Sequence, residues 1–135
     1  MTDRLSKEGR SRVMRSIRSR GNRNTEQELA ALLRRNQIWG WKRHMPLPGT
    51  PDFTFGEKRL VVFVDGCFWH WCPKCTKLPR THARYWAAKL RRNRRRDKLV
   101  SDELAKRGWS VLRIWEHELR NPRSVLVKIT SILGT

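Results

Sequence analysis

Pro51-Asp52-Phe53-Thr54-Phe55-Gly56-Glu57-Lys58-Arg59-Leu60-Val61-Val62-Phe63-Val64-Asp65-Gly66 is the stretch that decides the architecture. Asp52 to Phe55 alternates as a half-buried strand does, and Gly56-Glu57-Lys58 reads as a hairpin turn. Leu60 to Val64 is apolar at every position and β-branched at three, which suits a central strand covered on both faces and ended by Asp65-Gly66.

Upstream, Thr25-Glu26-Gln27-Glu28 fits a capping box with Thr25 as N-cap, and Leu29, Leu32 and Leu33 follow at helical spacing, predicting a helix over about 26–36. Pro46, Pro48, Gly49 and Pro51 then break regularity. Downstream, about Thr81 to Lys106 is helical, with Trp86, Leu90, Leu99, Val100 and Leu104 facing inward, and Gly108 suits the C′ position. Trp109 to Trp115 reads as another strand. Asn121-Pro122 offers an N-cap and a proline at N1 for a last helix carrying Val125, Leu126, Ile129, Ile132 and Leu133. The order predicts a three-layer α/β domain with a mixed central sheet and flanking helices, over 24–135, behind a basic arm over 1–23.

A chain of 135 residues has room for one such domain, burying roughly two-thirds of its unfolded surface. Its formal charge of +19, from 31 Lys and Arg against 12 Asp and Glu, exceeds what solubility requires and points to an anionic partner, nucleic acid first. Seven Trp add stacking capacity to that charge. No apolar run reaches the roughly 18 residues of a membrane span, and no secretory signal opens the chain, so a cytoplasmic, nucleoid-associated protein is expected. The arm carries Arg4, Lys7, Arg10, Arg12, Arg15, Arg18, Arg20 and Arg23 around Val13, Met14 and Ile17; a solubilising tail is the alternative to a DNA-binding arm. Lys89 to Lys98, which includes Arg92, has seven basic residues and one acid, more than one helix face can present to a groove.

Cys67, Cys72 and Cys75 fall within nine residues, a spacing better suited to zinc than to disulfides. Spacing leaves His70 and His117 as rivals for the fourth ligand, with His44 and His82 less well placed. Asp52 begins one strand and Asp65 ends its neighbour, so a hairpin would bring both carboxylates to one sheet edge, where a divalent cation could bridge them to a phosphate. His70 lies five residues beyond Asp65, within reach of a proton-transfer role or of the zinc.

Pro48-Gly49-Thr50-Pro51-Asp52-Phe53, Val64-Asp65-Gly66-Cys67-Phe68-Trp69-His70 and Gly108-Trp109-Ser110-Val111-Leu112-Arg113-Ile114-Trp115-Glu116 resemble the very-short-patch-repair (Vsr) endonuclease family in order and spacing, over about residues 10–120. The resemblance implies a restriction-endonuclease-like fold with one structural zinc site, and Mg²⁺-dependent nicking of double-stranded DNA beside a T:G mismatch. It implies that Asp52 ligates Mg²⁺ with the Val64 carbonyl, that His70 is the general base or its close equivalent, and that His117 joins Cys67, Cys72 and Cys75 on zinc. Glu26 would reach the Mg²⁺ through water, and Asp97 would support the catalytic histidine. Phe68, Trp69 and Trp86 would push between base pairs with Met14 entering from the opposite groove, as a wedge that is cheapest at a wobble pair. Core packing is the plainer reading of Phe68 and Trp86. The family pattern has Thr-His where this chain has Val64-Asp65, which makes Asp65 a candidate direct Mg²⁺ ligand. Mismatch-repair factors and a cytosine methyltransferase are the implied partners, and a monomer is expected. Two alternatives stand beside this reading: a zinc-stabilised, non-catalytic DNA- or RNA-binding module, and a related nuclease without mismatch specificity.

Overall fold

The computed structural model describes residues 25–67, 72, 74 and 77–134. The arm over 1–23, with Met14 and Arg15, lies outside the described residues, as do Phe68, Trp69, His70 and Cys75.

Helix α1 covers 25–35 and already includes Thr25, the residue expected to cap it. Three strands follow, β1 (Trp41–Arg43), β2 (Phe53–Phe55) and β3 (Leu60–Asp65), then helix α2 (Ala83–Lys106), strand β4 (Ser110–Trp115), a 3₁₀ turn (Glu116–Arg120) and helix α3 (Pro122–Leu133). The sheet runs β1-β2-β3-β4; the first three strands are antiparallel, and β3 pairs with β4 in parallel. A parallel neighbour requires a crossover, which α2 supplies.

Every residue of β3 is buried, as an unbroken apolar strand requires. Leu60, Val62 and Val64 join Leu29 and Leu33 of α1 and Val125 and Ile129 of α3 in one core, with Phe53, Phe55 and Ile114. Val61 and Phe63 point the other way, to Leu104 and Val100 of α2 and to Leu47 and Trp109. The expected three layers are therefore present: α1 and α3, the mixed sheet, and α2.

Four local expectations need correcting. Leu99 is 64% exposed. The buried stripe of α2 runs through Trp86, Leu90, Asn93 and Leu104, and Leu99 stands about 100° away from its half-buried neighbour Val100. Ile132 is likewise exposed while Leu133 turns inward. The hairpin loop spans four residues, because Phe55 pairs with Leu60. Its left-handed position falls on Arg59 (φ 49°), which donates to the Arg107 and Gly108 carbonyls at 2.7 and 3.2 Å and stacks on Trp109. Finally, β1 was not expected, since three residues after a glycine show no periodicity. The ends of the last two helices match expectation: Gly108 takes φ 87° after α2, and the Asn121 side chain accepts from Ser124 N–H above Pro122 at N1.

Candidate active site and metal centre

In the β2–β3 register Phe53 faces Val62, so the chain entering β2 brings Asp52 alongside the end of β3. There Asp52 Oδ2 accepts the Val64 N–H at 2.7 Å, continuing the ladder with a side chain. β1 pairs Arg43 with Phe53, which sets Arg43 and His44 beside the same carboxylate. Arg43 Nε donates to the Asp52 carbonyl at 3.0 Å and stacks on the Phe53 ring. Glu26 arrives from the first turn of α1, with Oε1 2.8 Å from His44 Nε2 and 3.2 Å from Arg43 Nη2.

Ligand atoms of Glu26, His44 and Asp52 thus all lie within 4.8 Å of one another. Burial, and then the hydrogen bond shared with Glu26, push the Asp52 carboxyl up to about 8. Burial would raise Glu26 too, but its hydrogen bonds with Asp52 and His44 and the charge of Arg43 hold it below its ordinary value. Of the two carboxyls, Asp52 is thus the one that favours a proton. Two crowded carboxylates, with an imidazole beside them, are donors a divalent cation accepts in place of a proton. Nothing in the sequence marked His44: it follows a strand too short to read, and its proximity to Glu26 exists only once β1 has paired.

A cleft of about 290 Å³ opens beside Asp52, lined also by Val64, Asp65, Arg96, Asp97 and Arg113. Both strand-end carboxylates thus reach one cleft, as the hairpin argument anticipated, and Asp97 joins them from α2. Asp65 is buried and takes Arg113 Nη1 on both oxygens, at 3.1 and 3.2 Å. Arg113 also donates to Ser101 Oγ and the Asp97 carbonyl, each at 3.0 Å, and lies on the Phe63 ring. Sequence reading missed Arg113, although an arginine inside a strand otherwise reading as apolar was a signal to ask which carboxylate it meets.

The second cluster follows from the parallel pair. Asp65 is opposite Trp115, so continuing two residues past each strand end brings Cys67 and His117 together. His117 Nδ1 is 3.4 Å from Cys67 Sγ and 3.5 Å from Cys72 Sγ, and both thiols are buried. Tetrahedral Zn²⁺ with ordinary Zn–S and Zn–N bonds sets its S and N ligands about 3.5 Å apart, so the donors fit that ion. Glu116 Oε1 accepts the Cys67 N–H at 3.3 Å and secures the loop.

Lys89 and Arg92 sit on α2, Arg92 exposed and Lys89 partly so. Trp86 is 6% exposed, edge-on to Tyr85 at 5.2 Å, and can reach a base stack only by leaving that packing. No helix among the described residues is long and apolar enough to cross a membrane.

Comparison with known proteins agrees with this geometry. Over 135 residues the chain is 38% identical to the type II nicking enzyme V.XorIIP of Xanthomonas oryzae pv. oryzae, covering 98% of each chain. It is 38% identical over 122 residues to the DNA mismatch endonuclease Vsr of Escherichia coli, covering 89% of this chain and 77% of that one. Over 68 residues it is 52% identical to the type II nicking enzyme V.NaeI of Lentzea aerocolonigenes, covering 50% of this chain and 41% of the relative. Residues 2–77, which hold Glu26, His44, Asp52 and the cysteine run, match the profile of the DNA mismatch endonuclease Vsr family. A carboxylate cleft at a sheet end and a Cys/His cluster beside it, in a chain so similar to these enzymes, place the protein in the DNA mismatch endonuclease Vsr family.

Proposed function

We propose that the protein nicks one strand of double-stranded DNA beside a T:G mismatch, hydrolysing a phosphodiester in the Asp52 cleft within a restriction-endonuclease-like fold. The observation that carries this reading is the convergence of Asp52, Glu26 and His44 at the end of β2 and β3, in a chain of charge +19. A module that only bound phosphates would gain nothing from burying two carboxyls where the polyanion must sit. Asp52 and the Val64 carbonyl would hold Mg²⁺, with Glu26 joining through water. Bound there, Mg²⁺ supplies polarisation of the phosphoryl oxygen and a more acidic water.

His70 takes the proton from the attacking water, and Asp97 keeps that imidazole oriented. Arg43 and His44 hold Glu26 beside Asp52. Asp65 anchors Arg113, so its oxygens are less available to the cation than those of Asp52. Cys67, Cys72, Cys75 and His117 would hold a structural Zn²⁺. Phe68, Trp69 and Met14 wedge the mismatch, with Trp86 joining if it swings out of its packing. Lys89, Arg92 and Arg15 neutralise flanking phosphates.

The test is a closed plasmid carrying one T:G mismatch, incubated with Mg²⁺. Open-circle product is expected, with the rate falling on the order of 10³-fold or more in Asp52→Ala while binding persists. Undiminished nicking by Asp52→Ala refutes the site, and equal nicking of the matched plasmid identifies a nuclease without mismatch preference.

A further inference from the structure

The cleft beside Asp52 presents an electrostatic problem. Asp52, Asp65 and Asp97 line a space of about 290 Å³ that must also admit a phosphate. A phosphate brought within about 4 Å of an ionised carboxylate there is repelled by about 4 kcal/mol at the effective dielectric of a protein surface. Two guanidiniums line the same space, Arg96 and Arg113. Arg113 is already committed at Nε, Nη1 and Nη2, to Ser101, Asp65 and the Asp97 carbonyl, and is pinned on Phe63. It neutralises Asp65 and cannot turn to a phosphate without abandoning a buried carboxylate.

Arg96 is differently placed. Its one hydrogen bond among the described residues runs from Nη2 to Asn93 Oδ1, at 3.3 Å, one turn earlier on α2. Asn93 is buried, so this bond ties Nη2 to a fixed point on α2, and Arg96, an exposed residue like Arg94 and Arg95, is the one of the three that lines the cleft. A planar fork matches two phosphate oxygens better than a point charge does. We propose that Arg96 is a catalytic residue, its guanidinium contacting a non-bridging oxygen of the phosphate cut in this cleft and stabilising the charge that grows there; this rests on the endonuclease reading above. Arg94 and Arg95, exposed on the same helix, do not line the cleft and serve general phosphate neutralisation.

Single-turnover nicking of a mismatch-bearing duplex with Mg²⁺ tests this, using the wild-type protein, Arg96→Ala and Arg95→Ala. At saturating protein, Arg96→Ala should slow nicking by about 10²–10³-fold, as loss of one donor to a developing oxyanion does, with Kd rising less than tenfold. Arg95→Ala is the binding comparison and should raise Kd and flatten its salt dependence more than Arg96→Ala does. Arg96→Gln, which keeps the stem, should repeat the loss and serves if the alanine variant melts early. A saturated Arg96→Ala rate within about threefold of a wild-type protein that does nick overturns the role of Arg96 alone. A wild-type protein that fails to nick overturns the endonuclease reading, and this inference with it.

Discussion

Where β2 begins and β3 ends, Glu26, His44 and Asp52 stand within 4.8 Å of one another, with the Asp52 carboxyl pushed up to about 8 by burial and by Glu26; beyond the end of β3 and β4, Cys67, Cys72 and His117 make an equally tight group from buried thiols and an imidazole. The first group is open to a cleft and is satisfied by a proton and by Arg43. The second is a closed donor set, not a closed space: Cys72 and His117 line a pocket of about 740 Å³, and the thiols and imidazole already sit at the spacing one tetrahedral ion would impose. Catalytic sites keep room for exchange and structural sites do not. On the function proposed above, the two clusters divide those tasks.

The largest effect tests the closed cluster. Removing its metal with a strong chelator, or making His117→Ala, should lower stability by several kcal/mol, on the order of 15 °C in Tm, with about one Zn²⁺ per chain lost. Metal analysis and thermal melting measure both. An unchanged melting curve after zinc loss would mean that the cluster holds nothing together and that the contrast with the cleft fails.

The next effect separates Asp65 from Asp52. Arg113→Met leaves Asp65 buried without its partner and should cost about 3–5 kcal/mol in urea unfolding. The double variant Asp65→Val with Arg113→Met should recover most of that loss. If Mg²⁺ restores the stability that the single variant loses, Asp65 is a metal ligand in its own right and the cleft holds the ion from both strands.

These two sites were not equally legible in the sequence. Asp52 could be read because a hairpin is local: two strands separated by one turn must lie side by side, so Asp52 and Asp65 had to approach one sheet end. The layers were legible for a similar reason, since an unbroken apolar strand such as Leu60 to Val64 needs cover on both faces. His117 could not be chosen over His70 from spacing, because its meeting with Cys67 depends on the parallel β3–β4 register, 50 residues apart. The resemblance supplied it instead. His44 was passed over because β1 has only three residues, and Leu99 was misplaced because a dense basic helix blurs which apolar positions make the stripe.

A smaller effect sharpens the claim that the cleft awaits a cation. The Asp52 carboxyl lies at about 8, above its ordinary 3.8, so the metal-free fold favours the proton. That stabilisation is full below the unfolded value and is lost as pH rises through about 8. A cation must displace the same proton. Its affinity should therefore climb about tenfold per pH unit below pH 8 and level off above it, with proton release visible by calorimetry in buffers of different ionisation enthalpy. Affinity that does not change from pH 6 to 9 would place the metal elsewhere.

The smallest effect concerns the strand that carries Asp52 to its place. Thr54 is buried in β2 opposite Val61, and its hydroxyl has no hydrogen-bond partner among the described residues. Beside it lies a cavity of about 430 Å³ lined by Met45, Leu47 and Trp109, at the end of the sheet away from the Asp52 cleft. A buried hydroxyl without a partner costs more than the methyl that would replace it. Thr54→Val should raise stability by about 1 kcal/mol in urea unfolding and leave nicking unchanged, because Asp52 is positioned by the Val64 N–H and by Arg43 rather than by this face of β2. Destabilisation would show that water in the cavity satisfies the hydroxyl. A fall in nicking at unchanged stability would show instead that β2 transmits its packing to the carboxylate, so that the open site is held as rigidly as the closed one.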